Sequence, residues 1–304
     1  HTALRRQRQM CIRDRRIGWA VTSGSLPAMI DRVFSTVVFA AAALVVAALV
    51  WVLTDVVSEG AARISWAFLV TEPRDAGRAG GIAPVLVSTL WVLVIALAAA
   101  LPLGLGVAIW LSEFAPKQRG FAAYTGITLD VLAGIPSIVY GLFGNAFFSV
   151  YMGLGYSLLA GGLTLACMIL PVFIRTCESG LRQVSDDWRQ GAWALGMTRA
   201  AAVCHVLLPA ARPAILAGLV LGIGRATAET AALLFTSGYV DRMPESPLDS
   251  GRVLAVHIFD LSMNVTGGDG AAYGSALVLI VLIVLLNGLA QSLVDNWFKR
   301  RISQ

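Results

Sequence analysis

Residues 178–209 read ESGLRQVSDDWRQGAWALGMTRAAAVCHVLLP, the longest polar interruption in the second half of a very apolar chain. Inside it, Gln190-Gly191-Ala192 is followed after three residues by Gly196, and after nine more by Val206-Leu207-Leu208-Pro209. Asp186 or Asp187 can cap a short helix whose first turn carries negative charge, which suits the positive end of a helix dipole. Ala192, Leu195 and Gly196 are expected on one face, where small side chains let another protein's backbone come close. Gly196 suits a left-handed helix terminus. The reading is a short docking helix for a partner; the plainer alternative is an ordinary loop helix.

The surroundings of this stretch decide the fold class. Hydrophobic residues make up 57% of the chain and charged residues only 13%, with a mean hydropathy of +0.75. That balance excludes an ordinary water-soluble domain and implies a lipid-embedded one. Cys11, Cys167, Cys177 and Cys204 have no metal-ligand spacing, and the histidines are scattered, so neither a disulfide framework nor a metal centre is indicated. The basic excess finds its explanation in topology, and nucleic acid is not an expected partner.

Six apolar runs can each supply the ~20 residues a bilayer requires. They cover about 33–57, 85–111, 125–150, 156–174, 214–237 and 273–298. Pro102 with its neighbouring glycines predicts a kink in the second. In the third, Pro136 and Ser137 break the hydrogen-bond ladder, and Gly134, Gly141 and Gly144 permit close helix contact. Between the last two runs, residues 252–261 (RVLAVHIFDL) form an amphipathic segment expected on the membrane surface. The expected organisation is a basic cytoplasmic tail over 1–32, with 1–16 set apart as a candidate non-native opening, followed by one six-helix domain over 33–304.

Lys and Arg orient the spans. With the N-terminus in the cytoplasm, that side holds seventeen and the far side five; without the residues through Arg16 the count is eleven to five. Both termini and the 178–209 loop are then cytoplasmic, and the membrane is the bacterial inner membrane. One basic residue belongs to neither side. It is Arg225, in 224–231 (GRATAETA), with Glu229 four residues on and so on the same helix face. An intramembrane Arg costs about 2.5–3.5 kcal/mol even on lenient scales and calls for a partner or a function. Glu229 can neutralise it, and an oxyanion can compete for its planar fork. Thr230 can add a hydroxyl. Two readings of the pair stay open, a substrate pathway and a buried pair that only fixes packing.

The 190–209 spacing resembles the EAA loop of ABC importer permeases, with Gln190, Gly191 and Val206 in place of the family's Glu, Ala and Ile. With LPLGLGVAIWLSEF (101–114), LAGIPSIVYGLFG (132–144) and GRATAETA (224–231), the chain resembles the membrane subunits of the bacterial phosphate ABC importer. GGIAPVLVSTL (80–90) and the 256–279 region look more like the PstA-type subunit than its PstC-type partner. The resemblance covers about residue 80 onward. It implies an all-α integral membrane protein of six transmembrane helices with the type I (MetI-like) permease fold. It also implies a homologous PstC-type permease, a PstB-type ATPase dimer, a periplasmic PstS-type phosphate-binding protein and membrane lipid as partners. The implied function is phosphate import by alternating access, with Arg225, Glu229 and Thr230 on the pathway. Gln190, Gly191, Ala192, Gly196, Leu208 and Pro209 are the implied ATPase-coupling residues. Ala228 replaces a usual Gly and is expected to stiffen the helix beside Glu229.

Lys117 and Lys299 lie in no phosphate-binding glycine-rich loop, so the chain is not expected to hydrolyse ATP or to bind a cofactor. ATP and Mg belong to the partner ATPase. Alternative readings are a permease for sulfate, molybdate or phosphonate, and an ion-coupled secondary transporter with Glu229 as its proton site. The latter class commonly shows inverted repeats, and none is visible here. Glu229, able to accept from a protonated oxyanion, favours phosphate.

Overall fold

The computed structural model describes residues 25–115 and 119–302; the expected basic tail up to residue 24 lies outside them. The chain divides into two compact units, His1–Asp55 and Val56–Gln304. Helix α1 is Ser25–Ala61. A short helix α2 (Trp66–Val70) and a two-residue antiparallel ladder, β1 (Pro73–Arg74) with β2 (Ala79–Gly80), lead to α3 (Ala83–Ile109), which a π-helical turn prolongs to Phe114. Then come α4 (Arg119–Ala133), α5 (Ser137–Gly144, prolonged by a π-helical turn to Tyr151) and α6 (Leu158–Gln183). The second half holds α7 (Asp186–Ala194), α8 (Arg199–Ala202, continued through a π-helical turn to Ala210) and α9 (Arg212–Thr227). It ends with α10 (Ala231–Leu234), α11 (Leu254–Met263) and α12 (Asp269–Ile302).

Four spans are long and apolar enough to cross a bilayer as single helices: Asp31–Ala61, Ala83–Phe114, Leu158–Gln183 and Asp269–Asn296. Two bent pairs complete a count of up to six. Tyr124–Ala133 and Ser137–Tyr151 meet at 92°, and Arg199–Ala210 and Arg212–Thr227 at 70°. The first bend is where Pro136 was expected to act: proline has no N–H and pushes Ile135 out of the helical region. Pro102, by contrast, sits inside α3 without ending it. The fourth span runs nine residues past the expected end at 174. The fifth stops at Thr227, short of the expected 237.

Helix α6 is the centre of the second unit, with 67% of its apolar window buried against 6% for the last span. It packs on α3, α4, α5, α9 and α10, through Leu165, Met168, Ile169, Phe173, Cys177 and Leu181. Apolar helices in lipid gain little by mere burial, so shape and close approach decide their association. Gly144 shows this most sharply: a Cβ there would lie 2.6 Å from Thr164 Cγ2 on α6 and closer still to its hydroxyl. Gly141 plays the expected role against α10, where a Cβ would meet Ala232 Cα at 2.8 Å. Gly134 does not, since only carbonyls of its own helix lie near.

Helix α11 turns its apolar face to protein. It packs on α12 and α3, with Leu254, Val256, His257 and Leu261 fully buried. The Leu254 amide donates to Thr89 Oγ1 at 2.8 Å. Among the described residues neither nitrogen of the His257 ring has a hydrogen-bond partner. Burial, aided by the Arg252 charge and opposed by Asp241 and Asp260, lowers its pKa to about 4.

Two outcomes are expected. Gly144→Ala forces Thr164 aside and should lower stability by about 1–3 kcal/mol, read as a lower Tm in detergent. The pKa of His257 is lower folded than unfolded, so its neutral form contributes stability that is complete above about pH 6.5 and lost as pH falls towards 4. The loss should reach on the order of 3 kcal/mol. Tm between pH 7.5 and 4.5 should fall more steeply in the wild type than in His257→Leu; identical slopes would exclude His257 as the source.

Candidate functional site

Two parts of the second unit carry chemistry. The first is the 184–211 segment. Ser185, rather than Asp186 or Asp187, caps α7: its hydroxyl accepts from the Asp187 amide at 3.3 Å, and the two aspartates occupy the first turn. At the other end Gly196 has φ +71. The Met197 amide donates to the Ala192 carbonyl at 3.0 Å and the Gly196 amide to Trp193 at 2.9 Å. That pair of bonds is the Schellman closure, which needs a left-handed residue at this position and so favours glycine.

The expected common face of Ala192, Leu195 and Gly196 does not form. Ala192 is 3% exposed and faces the protein, whereas Leu195 is 82% exposed. Gln190 and Gly191 are also on the outer surface, and a Cβ on Gly191 or Gly196 would touch nothing within 4 Å. Trp188 and Trp193 are exposed beside them. Leu208 is buried and Pro209 half-buried. With Val203 and Leu207 in the core, they bring α8 back into the bundle before the 70° bend into α9. Pro209 has no N–H for the carbonyl four residues earlier, and the wide turn Val203–Leu207 lies just ahead of it.

Arg189 holds α7 in place. Its guanidinium forks onto Glu113 (2.8 and 3.2 Å), donates to the Val184 and Leu181 carbonyls at 2.6 and 2.8 Å, and pairs with Asp186 at 3.1 Å. The Glu113 hydrogen bonds push this already basic group's pKa further up. A cleft of about 720 Å3 opens here, lined by Glu113, Arg182, Arg189, Trp193 and Arg199 among others. Sequence reasoning missed Arg189 as an anchor because nothing in the 186–194 pattern indicates that the end of α3 lies opposite.

The second part is the break between α9 and α10. Gly222 lies against Ile169, midway along α6, and Arg225 follows three residues on. Arg225 and Glu229 do not share a helix face. The helix ends at Thr227, Ala228 takes φ −89 and ψ 1, and Glu229 lies outside it. Glu229 Oε1 accepts from the Ala232 amide at 3.1 Å, serving a free N–H of α10 instead of Arg225. Among the described residues Arg225 has no ion pair, with Glu229 or any other carboxylate. It is half-buried; the Tyr140 hydroxyl donates to the Leu132 carbonyl at 2.9 Å. Thr230 is half-buried at the first position of the new turn, and its carbonyl accepts from Leu234. Asn145 Nδ2 buttresses the far side by donating to Phe235 O at 2.7 Å. The stiffening expected from Ala228 is absent, because a chain ending its helix at Thr227 gives that methyl no helix to stiffen. Neither Pro nor Gly marks the break, so periodicity alone could not reveal it.

Residues 100–303 match the family described as binding-protein-dependent transport system inner membrane component. A Bacillus subtilis protein called probable ABC transporter permease YqgI is 32% identical over 274 residues, 85% of this chain and 93% of that one. Phosphate transport system permease protein PstA 2 of Mycobacterium bovis is 32% identical over 265 residues, 85% of each chain. In fold, the chain is similar to a crystal structure of a bacterial alginate ABC transporter (TM-score 0.59, 13% identity, covering 90% and 99%). It is also similar to the inward-facing MetNI methionine ABC transporter (TM-score 0.52, 19% identity, covering 71% and 96%). The fold is thus all-helical and of the type I importer class, and the protein is a multi-pass inner membrane one. The chain belongs to the binding-protein-dependent transport system inner membrane component family: it is the permease of an ABC importer and not its ATPase, and it works with an ATPase and a binding protein.

Proposed function

We propose that the chain is the PstA-type permease of a phosphate importer, with both termini and the 184–211 segment in the cytoplasm. The observation that carries this reading is Arg225, a half-buried guanidinium in an apolar helix with no carboxylate to neutralise it among the described residues. Such a charge is tolerated only where it meets water or an anion. Its fork matches two oxygens of a tetrahedral oxyanion. Glu229 and Thr230 stand at the same break and complete the pathway surface, Glu229 through capping α10 rather than pairing with Arg225. Support for phosphate comes from PstA-named relatives such as the one at 32% identity. A PstC-type permease, PstB-type ATPases and a PstS-type binding protein complete the complex in this reading.

Coupling runs through Gln190, Gly191 and Gly196, which are open to a partner, together with Leu195. Ala192, Leu208 and Pro209 act from behind by fixing the segment to the bundle. Closure of the ATPase dimer displaces α7, the bundle rearranges, phosphate passes Arg225, and hydrolysis resets the cycle. The basic tail over 1–32 and the single 33–304 membrane domain belong to the same proposal.

The test is phosphate uptake into proteoliposomes holding the whole complex, with ATPase activity followed in the same vesicles. Arg225→Ala should lose about 10- to 100-fold in uptake, the value of a charge-assisted hydrogen bond, while keeping ATPase activity. Full uptake by the variant would remove Arg225 from the pathway. Uptake of sulfate, molybdate or phosphonate but not phosphate by the wild type would reassign the anion. Leu195→Asp should release the ATPase subunits from the purified complex with Tm unchanged; a variant that retains them places the contact elsewhere.

A further inference from the structure

Four charged side chains, Asp130 on α4 and Arg175, Glu178 and Arg182 on α6, form a ladder that reaches the cleft beside α7 at Arg182. Arg175 on α6 forks onto Asp130 of α4, Nε to Oδ1 and Nη2 to Oδ2, both at 2.8 Å. Its third nitrogen reaches Glu178 Oε2 at 3.3 Å. The other Glu178 oxygen holds Arg182 at 2.8 Å, and Arg182 donates to the Leu111 carbonyl in the last turn of α3 at 3.4 Å. Two residues on, Glu113 holds Arg189 of α7. Glu178 is only 3% exposed, and both its oxygens are occupied.

The outer end of the ladder is built for geometry rather than for stability. Asp130 and Arg175 are 60% and 39% exposed, and exposed pairs add little to stability. Yet the contact is bidentate, which fixes an angle as well as a distance. Gly126, one turn before Asp130, leaves room for it: a Cβ there would lie 3.2 Å from Arg175 Nη1. A weak but directional contact can open and close in a cycle without unfolding the protein.

What the ladder joins gives it a role. Helix α4 is the first limb of the span bent by 92°, and the second limb, α5, lies with Gly141 on Ala232, the residue whose amide Glu229 caps. We propose that Arg175 is a positioning residue for transport. Through Glu178, Arg182 and the end of α3 it ties the angle of α4 to the position of α7, so that displacement of α7 reaches the break beside Arg225. The inference rests on the reading of α7 as the ATPase contact and of Arg225 as the pathway.

The test uses the reconstituted complex with Arg175→Gln, Asp130→Asn and the charge swap Arg175→Asp with Asp130→Arg. Each single variant should assemble with unchanged Tm and basal ATPase activity but transport about tenfold less phosphate per ATP hydrolysed, and the swap should recover most of that ratio. In a cysteine-free background, spin labels at Thr128 and Gln183 should report an ATP-dependent change in the α4–α6 distance that Arg175→Gln abolishes. Wild-type transport ratios in the single variants, or a label distance whose response survives Arg175→Gln, would overturn the inference. A loss of transport that follows a loss of Tm and is not recovered by the swap would make the ladder purely structural. Failure of the phosphate reading appears elsewhere, as absent phosphate uptake by the wild-type complex, and leaves the label measurement able to decide the ladder.

Discussion

Every backbone N–H and C=O in a bilayer must find its partner within the protein, and this governs the chain more than any single contact does. Where a helix runs unbroken and free of proline the condition is met automatically, as in α12. Where it breaks, side chains must take over. Glu229 caps α10, Asn145 reaches the Phe235 carbonyl, and Ser157 starts α6 by accepting from Ala160. Thr227 and Thr236 fold back on carbonyls one turn earlier. The polar residues that look functional in an apolar sequence therefore divide into two groups. Most serve the backbone; a few, Arg225 foremost, serve no backbone group and stand out for that reason.

The same solvent explains why α6 is central. Lipid tails are as apolar as leucine, so helices associate by fit, and small residues set how close two axes can come. With Gly144 against Thr164 and Gly141 against Ala232, α5 is held at once to the central helix and to the broken one. A displacement in α5 thus has two directions in which to act. This geometry places the 184–211 segment at one end of a packed column whose other contacts lead to the break beside Arg225.

Charge is distributed accordingly. At the end of the bundle carrying α7, Glu113, Asp130, Glu178 and Asp295 each hold an arginine. These pairs orient helices that apolar packing alone would leave free to slide. Their directionality, more than their net stabilisation, is what an energy-transducing membrane protein requires, since packed elements with two arrangements transmit motion only if their contacts are specific.

Much was legible in the residues alone. Composition and run length established the membrane class and the approximate spans; Pro136 announced the sharp bend; Gly196 announced the left-handed end of α7, a matter of local sterics. An arginine at position 225 is anomalous on energetic grounds from the residues alone. The rest depended on neighbours distant in sequence. The break at 228–230 carries no Pro or Gly, and only a capping carboxylate and a buttressing asparagine make it stable. Ala192 turns inward because Arg189 finds Glu113, 76 residues earlier. Arg175, Glu178 and Arg182 read as the start of a polar loop, yet they prolong α6 because Asp130 and the Leu111 carbonyl wait beside them. Sequence determines what is local, namely hydropathy, dihedral preference and helix-end chemistry. Tertiary structure decides which charge meets which, because that depends on elements brought together only by packing.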